Sequence, residues 1–160
     1  MKIFDSSPLI AILGELNQPK LLSYTISLGY SLYVPFTVVE EVTSSPEKEN
    51  LQNMINNKQI TKLGPLSEEE IQIFRNRFYR LGRGESELIL IAQQWQIKNK
   101  NFCCIIDDNI ARKVGENFNL KCKGTIGILR KLKEQGLVSP QDIEVLFKRL
   151  EECGFRYKFK

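Results

Sequence analysis

A five-residue run without a polar side chain, Phe102-Cys103-Cys104-Ile105-Ile106, constrains the fold of this chain more than any other segment. A strand with one face in water alternates apolar and polar residues. A run that is apolar at every position belongs where both faces are covered, inside a parallel sheet flanked by helices. The rest of the chain has the periodicity that such a sheet needs, with short apolar runs alternating with amphipathic segments.

Lys2–Phe4, Ser31–Val34, Gln59–Leu63, Phe102–Ile106 and Leu120–Cys122 read as strands. Between them, Ser7 as N-cap and Pro8 as first residue open a helix to about Leu16. Lys20–Leu28 forms a second helix that Gly29 stops. Pro35 starts a helix carrying Glu40 and Glu41, which Ser44, Ser45 and Pro46 break. Leu51–Ile55 is a short helical piece. Ser67 and Glu70 make a capping box for a helix to about Tyr79. Gly82 and Gly84 form a turn before a helix over Glu85–Gln96. Ile110–Phe118 is helical, Thr125 caps a helix to about Gln135 ended by Gly136, and Pro140 begins a last helix to about Cys153. Strands alternating with helices predict an α/β fold with right-handed crossovers.

The 160 residues fit one domain, residues 1–160, and a hydrophobic share of 42% is ordinary for a globular protein. The longest apolar runs, such as Leu88–Ala92, fall far short of the roughly 18 residues that span a membrane. One lysine followed by Asp5 is a poor start for a signal peptide. The expectation is a soluble cytoplasmic protein. Cys103, Cys104, Cys122 and Cys153 have no C-x-x-C spacing and no histidine accompanies them, so they read as buried, reduced thiols, not a zinc site. The net charge of +4 permits attraction to nucleic acid without requiring it. Basic residues gather in Arg75–Arg83, Arg130–Lys133 and Arg156–Lys160.

Acidic residues stand at the ends of these elements. Asp5 follows the first strand, and Asp107 and Asp108 follow the fourth. Glu41 lies on the helix after the second strand, and Glu85 opens a helix after a glycine turn. The carboxyl ends of strands in open α/β sheets are where such folds keep their sites. Carboxylates gathered there repel one another unless a cation joins them. Oxygen ligands without imidazole or paired thiolates suit Mg²⁺ or Mn²⁺. Each acid also has a plainer reading. Asp5 or one of the Asp107-Asp108 pair caps a helix, and Glu85 and Glu87 complement a helix dipole. Local spacing does not choose between Glu40 and Glu41.

The ordered set of motifs resembles the PIN domain. It comprises Asp5-Ser6-Ser7-Pro8-Leu9-Ile10; Val34-Pro35 with Val39-Glu40-Glu41-Val42; Gly84-Glu85-Ser86-Glu87 with Ile89 and Ala92; and Ile105-Ile106-Asp107-Asp108 with Ala111-Arg112. Gly124-Thr125-Ile126-Gly127-Ile128-Leu129 and then Gly136-Leu137-Val138 is similar to the C-terminal signature of a prokaryotic PIN subgroup of unassigned function. The resemblance spans nearly the whole chain. It implies a three-layer α/β/α sandwich around a central, mostly parallel sheet. It also implies a Mg²⁺- or Mn²⁺-dependent endoribonuclease acting on RNA.

By motif, Asp5, Glu41, Glu85 and either Asp107 or Asp108 are the catalytic and metal-holding acids. Glu85 stands where many relatives have aspartate. Ser6, Arg112 and Thr125 are candidate neighbours of the site. Toxins of the VapC type belong to the same superfamily, so a type II toxin–antitoxin role, a small antitoxin partner and a homodimer are further expectations. The rival reading is a catalytically inactive PIN-like module that acts through RNA or protein partners. A receiver domain is disfavoured, since paired acids should follow its first strand. A haloacid-dehalogenase-type phosphatase would need Asp-x-Asp where Asp5-Ser6-Ser7 stands.

Overall fold

The computed structural model describes residues 1–155; the basic tail Arg156–Lys160 lies outside the described residues. Five strands form one parallel sheet: β1 (Lys2–Phe4), β2 (Leu32–Val34), β3 (Ile60–Lys62), β4 (Cys103–Ile105) and β5 (Cys122–Lys123). Their order is β3-β2-β1-β4-β5. β1 lies at the centre, with Ile3 opposite Tyr33 of β2 and Cys104 of β4. The order reverses direction at β1, and the gap beyond β1 and β4 is where side chains from several connections can meet.

The period of two along each strand sorts the core into two layers. Ile3, Cys104 and Ile106 face one side, against α5 (Glu68–Arg77), α6 (Arg83–Ile97) and α7 (Asn109–Asn117). Phe4, Val34, Cys103 and Ile105 face the other. There they meet α1 (Ser6–Leu9), α2 (Lys20–Ser27), α3 (Phe36–Glu41), α4 (Glu47–Asn56), α8 (Thr125–Glu134) and α9 (Pro140–Glu152). The arrangement is a three-layer α/β/α sandwich, as expected, with all five strands parallel. Full burial of each core Leu, Ile or Phe contributes roughly 1.5–3 kcal/mol. No helix among the described residues is long and apolar enough to cross a membrane.

Several boundaries differ from the sequence expectation. The first helix begins at Ser6 with Asp5 as N-cap, not at Ser7, and from Ile10 to Glu15 it widens into a π-helical segment. There Leu16 N–H donates to Ala11 O, five residues back. α4 starts at Glu47 instead of Leu51. α6 starts at Arg83, two residues before the expected Glu85, so Gly84 is helical rather than part of the turn. Thr125 is the first residue of α8 and Gly124 its N-cap. Of the thiols, Cys103 and Cys104 are buried as expected, but Cys122 is half-buried and Cys153 exposed. The capping box at Ser67 and Glu70 is present, and Gly29 and Gly136 take the positive φ of helix-ending residues.

Candidate active site

Asp5 continues β1 past its end, its N–H bonded to Ile105 O at 3.0 Å. Its side chain has no exposed surface. It occupies the N-cap position of α1 yet makes no capping bond, and neither carboxylate oxygen has a hydrogen-bond partner. The helix-cap reading therefore does not account for it. Burial pushes the Asp5 carboxyl up to about 8, and the charges of Glu85, Glu41 and Asp107 push the same way, against the nearby Ser6 amide. A group so placed costs free energy unless a proton or a cation accompanies it.

Glu41, the last residue of α3, is exposed, and its Oε1 accepts the Gly84 N–H at 2.8 Å. Gly84 permits this contact because a Cβ there would come within 2.5 Å of Glu41 Oε2. Glu40 turns elsewhere, to an ion pair with Arg83 at 3.9 Å. Glu85 Oε2 accepts the Gly82 N–H at 2.8 Å at the start of α6. Burial raises the Glu85 carboxyl, with the charges of Asp108 and Glu41 adding and the Gly82 amide opposing.

The adjacent aspartates do different work. Asp108 caps α7, its Oδ1 accepting from Ile110 and Ala111 N–H at 2.8 Å. Asp107 turns to the start of α8, accepting from Thr125 N–H at 2.7 Å and Thr125 Oγ1 at 2.6 Å. Burial raises Asp107, against those two bonds and the charge of Arg112. Asp107 acts electrostatically on Asp5, whereas Asp108 acts on Glu85. The end of α3, the start of α6 and the connection from β4 to α7 thus bring acids towards Asp5, at the carboxyl ends of β1 and β4.

A family model of the PIN domain matches residues 1–160. The chain belongs to the PIN domain family. No curated protein and no solved structure matches it. PIN domains are generally nucleases and generally use divalent metals. The donor set fits a hard cation: every candidate is a carboxylate, and the oxygens of Asp5 have no partner. Among the described residues, no three Asp, Glu or Cys side chains already stand close enough to hold an ion together. Glu41, Glu85 and Asp107 are each turned onto a backbone amide instead.

Two acids of this PIN domain escaped the sequence reading as parts of the site. Glu87 on α6 is fully buried. It accepts from Thr37 N–H at 2.8 Å, Thr37 Oγ1 at 2.6 Å and Leu66 N–H at 2.8 Å. It ties α3, and with it Glu41, to α6, which carries Gly84 and Glu85. Its nearness to Glu85 in sequence was the available signal. Glu15 ends the π-helical segment with its Oε2 buried and unpartnered. Burial raises its carboxyl, and the charges of Asp107 and Glu47 add to that. An α-helical reading of the segment gives no cue for it.

The different partners of Glu40 and Glu41 predict different losses. Glu41→Gln should cut nuclease activity by about 10²-fold, the order seen when one oriented group of a metal site is lost. Glu40→Gln, which removes an exposed ion pair, should stay within about twofold of the parent. Initial rates on one RNA substrate decide it, and the reverse ranking would move the functional glutamate by one residue.

Proposed function

We propose that this PIN domain is a Mg²⁺- or Mn²⁺-dependent endoribonuclease that hydrolyses RNA phosphodiester bonds. The observation that carries the reading is Asp5: fully buried, without a hydrogen-bond partner, and ringed by Glu41, Glu85 and Asp107. Asp5, Glu41 and Glu85 would hold the ion, with Asp107 completing the set and Asp108 keeping α7 capped beside Glu85. Such an ion, when bound, supplies Lewis-acid stabilisation of the phosphate and acidifies a water for attack. The protein's share is orientation. Thr125 fixes Asp107 through two bonds, the Gly84 amide orients Glu41, and Glu87 locks α3 to α6. The chemistry needs no histidine, and the chain has none.

Purified protein should cleave single-stranded RNA in Mn²⁺ and stop when EDTA is added. A folded protein that binds RNA but cleaves none in either ion would make the non-catalytic binding module the better reading. Melting supplies a second test. Bound divalent ions relieve the repulsion among the acids, so millimolar Mn²⁺ should raise the melting temperature through linkage, by about 2.7 kcal/mol of stability at a hundred times the dissociation constant. A melting curve indifferent to Mn²⁺ would count against the ligand set.

The proposed role as toxin of a type II pair rests on the family resemblance and on one physical point. An acidic pocket can be blocked by a guanidinium, which pairs with carboxylates in a bidentate manner. Expression in a bacterial host should arrest growth, and co-expression of a cognate antitoxin should relieve it. Unaffected growth with an enzyme active on RNA would make it a processing nuclease. The expected homodimer is tested by mass in solution.

A further inference from the structure

Two thiols stand side by side at the β5 edge of the sheet. β4 and β5 pair in parallel with Cys104 directly opposite Cys122. Side chains opposite one another in a sheet point to the same face, and both residues belong to the core layer beside α7. Neighbouring strands run about 4.7–4.9 Å apart. That spacing falls within the Cα separation of about 4.4–6.8 Å across which a disulfide forms. The two thiols also hydrogen-bond to each other. Gly115 on α7 makes room for them, since a Cβ there would lie 2.9 Å from Cys122 Sγ.

The two sulfurs differ in character. Cys104 has no exposed surface, whereas Cys122, on the edge strand, is only half-buried. The hydrogen bond from Cys104 holds the Cys122 thiol below its usual value; burial and the charge of Glu116 oppose it, and the charge of Arg112 supports it. The same bond and burial push the Cys104 thiol up. The thiolate is the attacking form, so Cys122 is the reactive partner and Cys104 the protonated one. Cys103, next in sequence, belongs to the opposite core layer. Cys153 is exposed at the end of α9.

We propose that Cys104 and Cys122 form a reversible oxidation site, a dithiol that a hydroperoxide converts into a disulfide joining β4 to β5. The Cys122 thiolate attacks one peroxide oxygen. The O–O bond breaks, hydroxide leaves, and Cys122 becomes a sulfenic acid. Cys104 Sγ then attacks Cys122 Sγ. The S–S bond forms, the S–O bond breaks, and the Cys104 proton leaves with the hydroxyl as water. Two electrons pass from the thiols to the peroxide. A dithiol reductant restores both thiols by exchange. Three residues beyond each sulfur stand Asp107 and Thr125, which hydrogen-bond to each other. The disulfide therefore fastens together the two strand ends that carry this pair. The site does not depend on the nuclease reading.

The test uses the full chain carrying Cys153→Ser, an exposed substitution that removes bridging between molecules. Treated with hydrogen peroxide, this protein should lose two of its three remaining thiols and two hydrogens of intact mass. Dithiothreitol should restore both. Adding Cys103→Ala should change nothing. Adding Cys104→Ala should leave Cys122 as a sulfenic acid that dimedone captures. Adding Cys122→Ala, at the half-buried position, should leave Cys104 as a free thiol. Melting temperatures confirm that each variant is folded. Retention of all three thiols after peroxide overturns the proposal. So does a disulfide that persists in the Cys122→Ala variant. Dimedone capture of Cys122 with Cys104 still present, and no disulfide formed, also overturns it, because Cys104 then fails to reach its neighbour.

Discussion

Asp5→Asn is expected to lower RNA cleavage by at least about 10³-fold, equivalent to roughly 4 kcal/mol of lost transition-state stabilisation, while making the metal-free protein harder to melt. The two effects have one cause. The carboxylate sits with no exposed surface and no hydrogen-bond partner, so its charge burdens the fold unless an ion accompanies it. Asparagine keeps the shape and removes the charge. Activity of the parent order in Mn²⁺ would end the assignment of Asp5 to the site.

The stability half has a defined pH dependence. Asp5 titrates at about 8 in the folded protein against 3.8 for the free side chain. The folded state therefore holds the proton more tightly than the unfolded chain. Its contribution is fully present below pH 3.8, is lost as pH rises towards 8, and is constant above that. At 1.36 kcal/mol per pH unit, the loss has a ceiling on the order of 6 kcal/mol. Each kcal/mol corresponds to roughly 2–4 °C in a domain of this size. Asp5→Asn should thus melt at the higher temperature at pH 8.5 without metal, and the advantage should shrink towards pH 4. Mn²⁺ should raise the parent more than the variant. Parallel melting temperatures for the two proteins across that range would show that burial does not hold the proton on Asp5.

The architecture was legible wherever hydrophobic period decides structure. The apolar run at Cys103–Ile105 did become a strand covered on both faces, and Gly29 and Gly136 ended the helices before them. What escaped were features set by tertiary contact. The π-helical turn at Ile10–Glu15 has the composition of an ordinary amphipathic helix, and nothing local in its sequence marks the widening. Thr125 looked like a cap because threonine before an apolar run usually is one. Here its hydroxyl is drawn to Asp107, eighteen residues back along the chain but adjacent across the strand ends.

The same distinction runs through the candidate site. Position at the strand ends pointed to Asp5 and to the Asp107-Asp108 pair, and the structure adds what spacing could not: Asp108 caps α7, while Asp107 turns to Thr125. Glu40 and Glu41 are separable only through their partners, Arg83 and the Gly84 amide, which come from another helix. Glu15 had no local cue as a site residue, and Glu87 had only its nearness to Glu85. A glutamate in a helix is ordinarily solvated, and nothing local reveals that one is fully buried by three donors from distant segments.

Those three donors make Glu87 the acid whose loss should most damage the fold. Glu87→Ala would leave the Thr37 and Leu66 amides without partners in a buried place and open a cavity beneath α3. The expected cost is about 3–5 kcal/mol, a large part of the 5–15 kcal/mol typical of a domain. Glu87→Gln keeps the shape but trades a charged acceptor for a neutral one, and should cost about 1–3 kcal/mol. Thr37→Val removes one of the three bonds and should cost about 1 kcal/mol. Urea denaturation ranks the three. The functional consequence separates Glu87 from an ordinary core residue. At a temperature where Glu87→Gln is fully folded, α3 is held less firmly against α6, so Glu41 drifts from the Gly84 amide. Mn²⁺ should then stabilise the variant less than the parent, and kcat should fall more than RNA affinity. A Glu87→Gln protein with reduced stability but parent-like Mn²⁺ response and kcat would show that Glu87 serves the fold alone.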